Sequence, residues 1–289
     1  MRLHVIDGTF ELYRANFSKR PGVTAPDGMD VKATVGLVHS VLSLIETESV
    51  THLAIAFDNP IESFRNDLFD GYKTGAGVPP ELAAQFDLAE EAMRATGVVV
   101  WSMKQWEADD ALATAATRWK NDVEQVRIMT PDKDLGQCVQ NTRVVQVDRI
   151  RNRVIDEDAV VAARGVPPAS IPDLLALVGD DADGIPGISG FGAKGAAAVL
   201  AKFGTIENIP DDPSAWGVAV RGADRLAAEL RAHRDDALLY KKLATLVTDV
   251  PLAESLDDLR WRGAHKSAFL ALCDRLGART LREAPRTWA

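Results

Sequence analysis

The first half of the chain alternates short apolar runs with longer segments in which apolar residues recur at helical spacing. Each run holds four or five residues and is rich in Val, Ile or Leu, which is typical of buried strands. Helical spacing is clearest over 31–45, where Val35, Val38, Leu42 and Ile45 fall on one face. Strands that alternate with helices predict βαβ units and a parallel sheet. The predicted strands are Leu3–Ile6, Leu53–Phe57, Gly97–Trp101, Val126–Thr130 and Val144–Val147.

A Gly- and Pro-rich segment interrupts this alternation between about 60 and 90. It contains Gly71, Gly75, Gly77, Pro79 and Pro80. Compact α/β domains usually connect their elements with ~2–6 residues, and longer connections are often lids or binding elements. The segment is therefore predicted to be functional.

The second half of the chain has a different pattern. After Arg164-Gly165-Val166-Pro167-Pro168 the predicted strands stop and helical patterns take over. We therefore predict an α/β domain over 1–165 and an all-α region over 166–289. The last stretch, 257–289, carries no readable motif, and its large apolar residues are expected to pack in a core. The predicted helices are Ala111–Thr117, Ile171–Val178, Ala193–Phe203, Asp224–Arg234 and Leu238–Leu246, and the C-terminal packing residues are Trp261, Phe269 and Leu270.

Composition places the chain among ordinary globular proteins. Of its 289 residues, 46% are hydrophobic and 26% charged, which excludes disordered, collagen-like and disulfide-rich classes. Cys138 and Cys273 form no CxxC pair, so neither a zinc site nor a disulfide framework is predicted. The N-terminus lacks an apolar signal region and no run approaches ~18 apolar residues. A cytoplasmic protein with no membrane partner is expected.

The charge balance is acidic, with 42 Asp and Glu against 33 Lys and Arg, a net charge of −9. By itself this argues against a nucleic-acid partner, because proteins that bind phosphate backbones usually carry a basic face. The positions of the acids change that conclusion.

Carboxylates follow the ends of three predicted strands, at Asp7, Asp58 and Asp132. The carboxyl ends of parallel strands meet at one edge of a sheet, so these side chains are expected to converge. Further acids stand at a predicted helix start, two residues after Asp132, and directly after the helix over 171–178. Taken alone, each acid has an ordinary interpretation as a turn or cap residue. The full set is Asp7, Asp58, Glu107, Asp109, Asp110, Asp132, Asp134, Asp180 and Asp183.

Such a set, once converged, opposes folding by repulsion unless cations lie among the acids. Ligation by oxygen alone suits Mg²⁺ or Mn²⁺ better than Zn²⁺. Two such ions ~3.5–4 Å apart are the arrangement that hydrolyses phosphodiesters. Setting the nine acids aside leaves 33 of 42, equal to the 33 bases, so the acidity is compatible with a nuclease.

A glycine-rich turn begins immediately after Asp183, over 184–195, between two predicted helices. Glycine lets backbone N–H groups point at a phosphate, and the following helix adds its positive N-terminal dipole. This pattern predicts a helix–hairpin–helix that grips a phosphate backbone without reading bases. The alternative is a tight turn with no ligand. The candidate DNA-contacting residues are Gly187, Ser189, Gly190, Gly192 and Lys194.

At this point the chain closely resembles the 5′-nuclease (flap endonuclease) superfamily, and within it the 5′-nuclease domain of bacterial DNA polymerase I. The matching stretches run in family order from residue 3 to about 250. They include Val5-Ile6-Asp7-Gly8, Phe57-Asp58, Tyr72-Lys73, Glu107-Ala108-Asp109-Asp110, Asp132-Lys133-Asp134-Leu135, Gly179-Asp180 and Ile185-Pro186-Gly187.

The resemblance implies a PIN-like parallel-sheet nuclease core, a helical arch at about 60–90 and a helix–hairpin–helix region. It implies that Lys73 and Arg65 meet the scissile phosphate from the arch, and that Tyr72 stacks on or packs near the terminal base. It further implies a K⁺ held by backbone carbonyls of the hairpin. Two metals are implied, the first near Asp7, Asp58, Glu107, Asp109, Asp110 and Asp132, and the second near Asp134, Asp180 and Asp183, with Asp132 shared.

The sequence departs from the family pattern at two places. Ala76 stands where the family usually has an arch arginine, and Pro131 stands where it commonly has glycine. The arch is thus less positive than is usual, which puts threading affinity and catalytic rate in question. No polymerase follows Ala289, so a stand-alone member is expected.

The function implied is a structure-specific 5′ nuclease, a 5′-3′ exonuclease or flap endonuclease of DNA replication and repair. Its expected substrates are DNA with 5′ flaps, nicks or frayed 5′ ends, with RNA/DNA as a further candidate. A nucleoid-associated monomer is expected. Three alternatives stay open: a structure-specific DNA-binding protein with weak catalysis, a PIN-type ribonuclease, and a phosphotransferase or phosphatase for small molecules.

Overall fold

The computed structural model describes residues 1–289, which divide into two units by their internal contacts. The first, here called the sheet unit, comprises 1–63, 75–130 and 248–289. The second, here called the helical unit, comprises 64–74 and 131–247. The domain boundary predicted at residue 165 divides the chain by sequence character, and it stays a prediction.

The sheet unit is built on four parallel strands in the order β3-β2-β1-β4. Nearly every residue of β1 and β2 is buried, as expected for parallel strands covered on both faces. The register pairs Asp7 with Ala56 and Asp58 with Met103, so the carboxyl ends of these strands lie at one edge. The predicted parallel sheet is thus confirmed. The strands are β1 (Arg2–Asp7), β2 (His52–Asp58), β3 (Val99–Met103) and β4 (Gln125–Met129).

Six helices belong to the sheet unit. Sequence patterns predicted the second and fifth, but the first was missed because its two turns carry interior charges. Gly36 permits a close crossing of the first two helices, since a Cβ there would lie 2.9 Å from the Cβ of Ala15. The helices are α1 (Gly8–Asn16), α2 (Lys32–Thr47), α3 (Pro80–Ala83), α4 (Phe86–Ala95), α5 (Ala108–Trp119) and, near the C-terminus, α11 (Lys266–Leu276).

The predicted helical arch has little helix. Residues 59–79 form turns and bends, and α3 covers only four residues. The reason lies in Gly71, Gly75, Gly77 and Pro79, because glycine lowers helix stability and proline removes a backbone donor. The segment is a connection of turns, with helix beginning only at Pro80.

The apolar residues of the C-terminal stretch pack in a core, as predicted, and that core belongs to the sheet unit. The Trp261 indole donates a hydrogen bond of 2.8 Å to the Thr96 carbonyl, and Phe269 is fully buried. The backbone N–H of Leu53 bonds the carbonyl of Leu259 at 2.9 Å. These contacts tie residues 248–289 to β2 and to the end of α4.

The helical unit contains two antiparallel strands and five helices. The bounds of α7 and α8 agree with those predicted, whereas β6 and α6 were missed because β6 has only three residues. Its core includes the fully buried Trp216 together with Ile185, Phe191 and Leu200. The elements are β5 (Val144–Asp148), β6 (Arg153–Ile155), α6 (Glu157–Arg164), α7 (Ile171–Val178), α8 (Ala193–Phe203), α9 (Ala223–Ala232) and α10 (Arg234–Ala244).

No single helix of the chain is long and apolar enough to cross a membrane. The bent pair of α6 and residues 168–178 meets that test only by length and composition.

Candidate active site

The sheet unit holds the first group of predicted acids, at the ends of β1 and β2. Asp7 is buried and caps α1, accepting a 2.8 Å hydrogen bond from the Phe10 N–H. Its other oxygen accepts from the Thr130 hydroxyl at 3.0 Å. Asp58 accepts from the Ala108 N–H at 2.7 Å, which joins the end of β2 to the start of α5.

The remaining acids of this group begin α5. Glu107 and Asp110 are buried and Asp109 is half-buried. The Glu107 N–H donates to an Asp110 oxygen at 3.0 Å, and a Glu107 oxygen accepts from the Ser63 hydroxyl at 2.8 Å. Asp110 therefore does act as a helix-start residue, which is the ordinary interpretation.

The helical unit holds the second group, in which three carboxylates meet. One ligand oxygen each from Asp134, Asp180 and Asp183 lie within 4.8 Å of one another, and all three residues are at least nine-tenths buried. We call these three residues the acid cluster. The loop after α7 folds back, because Asp180 and Ile185 exchange backbone hydrogen bonds of 2.8 and 2.9 Å. This tight turn places Asp183 beside Asp180.

Asp132 lies next to the acid cluster in sequence and is exposed. One of its oxygens accepts from the Asp134 N–H at 2.9 Å, and its carbonyl accepts from the Gln146 amide at 2.5 Å. The predicted convergence of Asp132 with the acids of the sheet unit stays a prediction.

Two lysines neutralise part of the acid cluster. The Lys133 ammonium contacts Asp180 and lies 3.4 Å from Asp134 Oδ1, while the Lys73 ammonium lies 2.9 Å from Asp183 Oδ1. Asp134 Oδ1 and Asp180 Oδ2 are buried, and the Lys133 ammonium lies against both of them. Sequence reasoning assigned no role to Lys133, although its place between Asp132 and Asp134 was a usable signal.

The electrostatics follow from burial and like charge. Burial, together with the neighbouring Asp132 and Asp183, raises the pKa of Asp134 well above its ordinary value. Burial alone lowers the pKa of Lys133, but the carboxylates of Asp134 and Asp180 outweigh it and raise that pKa. Ionisation of all three carboxylates of the acid cluster is therefore unfavourable without further positive charge beside them.

Arg65 lies elsewhere than predicted. Its side chain is buried, and it donates to the Leu243 carbonyl at 2.8 Å and to the Thr245 carbonyl at 3.1 Å, at the end of α10. In this arrangement the guanidinium anchors backbone and is not presented to a phosphate. Tyr72 is likewise buried in the core of the helical unit, with the Lys73 ammonium 5.6 Å from its ring centre.

A close backbone approach sets the position of Lys73. The Lys73 N–H donates to the Asp183 carbonyl at 3.0 Å, and a Cβ on Gly184 would lie only 2.1 Å from the Gly71 carbonyl oxygen. Gly184 also has a φ of +73°. Only glycine therefore fits at 184 while residues 71–73 lie against the turn.

The glycine-rich hairpin has the local form that the sequence predicts. Gly187 and Gly190 have φ values of +74° and +84°, which favour glycine. Ser189, Gly190, Gly192 and Lys194 are exposed, and Gly187 is half-buried. Gly192 precedes α8, so Lys194 lies in its first turn. Backbone N–H groups at a helix start are suited to an anion.

A parallel sheet with carboxylates at the ends of its strands, and a helical unit with a glycine hairpin and an acid cluster, define the class of resolvase-like nuclease folds. Two family models match the chain: "5′-3′ exonuclease, N-terminal resolvase-like domain" over 2–165 and "5′-3′ exonuclease, C-terminal SAM fold" over 166–267. The chain therefore belongs to the 5′-3′ exonuclease family, and the resemblance seen in its motifs is confirmed.

Curated relatives support the same family assignment. DNA polymerase I of Bacillus caldotenax is 34% identical over 288 residues, which cover 98% of this chain and 32% of that protein. The 5′-3′ exonuclease of Aquifex aeolicus is 32% identical over 260 residues, which cover 89% of this chain and 86% of that protein. The chain thus spans about a third of the length of its polymerase relatives.

Solved structures share the fold. The T5 D15 protein co-crystallised with metal ions has a TM-score of 0.70 at 19% identity, covering 96% of this chain and 100% of that one. The catalytic core of Rad2 in complex with DNA substrate has a TM-score of 0.58 at 15% identity, covering 96% and 88%. These likenesses confirm the predicted fold class.

Proposed function

We propose that this chain hydrolyses phosphodiester bonds of DNA at or near a 5′ end. Its family makes it a structure-specific 5′ nuclease. The observation that carries the chemistry is the acid cluster, in which three buried carboxylates lie together and are only partly neutralised by Lys73 and Lys133. Carboxylate oxygens gathered in this way are the donors that hard divalent cations take.

The acid cluster fits one Mg²⁺ or Mn²⁺ ion, and a second ion is proposed at the remaining acids. Asp134, Asp180 and Asp183 would hold one ion, and a T5 relative was crystallised with metal ions, which supports the assignment. The second ion keeps the ligands that the family resemblance implies for it. Bound metal at these carboxylates would supply an activated water and would neutralise charge on the leaving oxygen. The residues proposed for the other ion are Asp7, Asp58, Glu107, Asp109, Asp110 and Asp132.

The protein's own side chains have separate tasks in this proposal. Lys73, held beside Asp183, is the cation placed to neutralise charge on the phosphate that reaches the acid cluster. Lys133 is the cation whose contact with Asp180 a bound metal would replace. Arg65 acts as a positioning residue, because its bonds to two carbonyls fix the chain that leads to Lys73. Tyr72 packs beneath that chain.

The hairpin is proposed to hold the DNA backbone by contacts that carry no base information. Gly187, Ser189, Gly190, Gly192 and Lys194 supply its N–H groups and one positive charge. The Rad2 core was solved with a DNA substrate, which supports DNA as the partner here. The proposed substrates are DNA with 5′ flaps, nicks or frayed 5′ ends, with RNA/DNA as an alternative, and a K⁺ is proposed at the hairpin. The protein is further proposed to be a monomer in the cytoplasm, associated with the nucleoid, with domains 1–165 and 166–289.

The test uses a 5′-flap DNA duplex labelled at its 5′ end, with Mg²⁺ or Mn²⁺. We expect short labelled products from the native chain, and loss of at least 100-fold in rate for Asp180→Asn, since removing one stabilising contact of this kind typically has that effect. Asp181→Asn is the matched control, because Asp181 is exposed in the same turn and lies outside the acid cluster.

Three outcomes would contradict the proposal. Equal cleavage by Asp180→Asn and the native chain would remove the metal assignment. Tight flap binding by the native chain without cleavage in either metal would favour a DNA-binding protein with weak catalysis. An RNA flap cut faster than the DNA flap would favour a ribonuclease.

A further inference from the structure

A cavity of about 200 Å³ lies in the helical unit, between the β5–β6 hairpin and α6. One wall is the face of the hairpin that carries Gln146, Asp148, Arg153 and Ile155. These positions alternate along each strand, as side chains on one face of a hairpin do. The other wall is the face of α6 that ends at Arg164.

The charged groups that line this cavity are four cations and one carboxylate. The cations are Lys133, Arg151, Arg153 and Arg164, and the carboxylate is Asp148. Lys133 is paired with Asp180 and Arg151 with Asp148, which leaves Arg153 and Arg164 as two unpaired cations in a chain whose net charge is −9. The cavity is therefore a local site for an anion within an acidic protein.

The single carboxylate is already fully engaged. Asp148 is buried, and one of its oxygens accepts from the N–H groups of Ile150 and Arg151 at 2.9 and 3.0 Å. Its other oxygen pairs with the Arg151 guanidinium at 2.9 Å. Asp148 thus holds the turn over 149–152 in place and neutralises only Arg151.

Two of the arginines have no partner. The side chains of Arg153 and Arg164 make no hydrogen bond and no ion pair with the protein, and both residues are exposed at the mouth of the cavity. A guanidinium is a planar set of donors that fits a phosphate in a bidentate way. The volume is several times the ~30 Å³ share of one water molecule, so a phosphate group fits.

The cavity and the acid cluster share a residue. Lys133 lines the cavity, while its ammonium contacts Asp180 and lies near Asp134. A strand bound at the acid cluster therefore has this cavity beside it.

We propose that the cavity binds one phosphate of the DNA backbone, through Arg153 and Arg164, next to the phosphate that is cut. This inference rests on the proposed function for its ligand. It adds a phosphate subsite on the β5–β6 hairpin and α6, separate from the glycine hairpin before α8.

The test is the salt dependence of binding to the 5′-flap duplex, by fluorescence anisotropy in EDTA from 50 to 300 mM NaCl. Each phosphate contact contributes about 0.9 to the slope of log K against log salt for duplex DNA. The double variant Arg153→Gln with Arg164→Gln should reduce the magnitude of that slope by about 0.9. This corresponds to about 8-fold weaker binding at 0.1 M salt.

The control pair is Arg231→Gln with Arg279→Gln, since both residues are exposed, make no ion pair and lie outside the cavity. It changes the net charge equally and should leave the slope within 0.3 of the native value, on the order of a third of one contact. A slope for the cavity pair equal to that of the control pair would overturn the proposal and leave the arginines as solvated surface charges.

Failure of this proposal and failure of the nuclease function are distinguishable. The binding assay contains no metal, so its slope does not depend on cleavage. In Mg²⁺ the cavity pair should raise KM for the flap duplex with little change in kcat, because these arginines do not touch the reacting atoms. Loss of kcat at saturating DNA would contradict a role in binding alone.

Discussion

Replacing Asp134 by asparagine should stabilise the metal-free protein and weaken its response to metal. The ligand oxygens of the acid cluster lie within 4.8 Å of one another. At an effective dielectric constant of about 20, each unit-charge pair at that distance repels by about 3.5 kcal/mol. Two such pairs act on Asp134, and attraction to Lys133 at 3.4 Å offsets about 5 kcal/mol of this repulsion.

The remainder is about 2 kcal/mol of net repulsion, and the neighbouring Asp132 adds to it. Burial and this repulsion both raise the pKa of Asp134, so the repulsion acts in full only at a pH where the carboxyl is ionised. We therefore expect Asp134→Asn to gain about 1–2 kcal/mol at pH 8 in EDTA, or roughly 2–6 °C in Tm.

Metal should reverse this order. A ligand present at 100 times its Kd stabilises the native state by about 2.7 kcal/mol, and the asparagine variant lacks one anionic donor. In 10 mM MgCl₂ the native chain should gain several degrees in Tm and the variant much less. Differential scanning fluorimetry measures Tm for both proteins, once in EDTA and once in Mg²⁺.

Asp181→Asn serves as the control, because Asp181 lies in the same turn and is exposed. It should change the stability in neither condition by more than about 0.5 kcal/mol. The reasoning is refuted if Asp134→Asn lowers Tm in EDTA. That result would mean that the pair with Lys133 contributes more to the metal-free fold than the repulsion takes away.

Three further changes test other parts of the fold. Burial lowers the pKa of His4 to about 4, below its unfolded value of about 6.5. The free energy of unfolding should therefore fall as the pH drops from 6.5 toward 4. His4→Gln should remove about 3 kcal/mol of this pH-dependent loss, as measured by Tm at each pH. Gly184→Ala should displace the chain at Gly71 and lower both stability and kcat. Gly204→Ala is its control, because Gly204 has a similar φ of +78° and open space around it, so only the stability should fall there. Arg65→Lys should lower the free energy of unfolding in urea by about 1–3 kcal/mol, because a lysine cannot bond both the Leu243 and the Thr245 carbonyls. Unchanged stability with a loss of kcat would instead favour contact between Arg65 and the phosphate.

Periodicity predicted those parts of the fold where burial is continuous. The strands from 3 to 129 and the helices α7 and α8 have apolar residues at nearly every inward position, so their period was readable. The element β6 and the helix α6 were missed because Arg153–Ile155 is largely exposed and only Val160 of α6 is buried. A short element without a buried face leaves no hydrophobic period to detect.

The candidate site was predicted at the level of residue types, while its ion pairs were not. That Asp180 and Asp183 fall together follows from their spacing and from the turn between α7 and α8. The insertion of Lys133 among them, and the anchoring of Arg65 at the end of α10, depend on contacts between residues far apart in the chain. Such contacts are set by tertiary packing, which a local pattern does not encode.

A net charge of −9 is a poor guide to whether this chain can bind a polyanion, and the distribution of its charges explains why. Its acids and bases are not mixed evenly: three carboxylates share the acid cluster with Lys73 and Lys133, while the cavity beside it gathers arginines around one engaged carboxylate. A polyanion responds to the local field within a Debye length of about 8–10 Å, not to the sum over the chain. An acidic total is therefore compatible with DNA binding once cations fill the acid cluster, and it predicts that affinity for DNA rises when divalent metal is added.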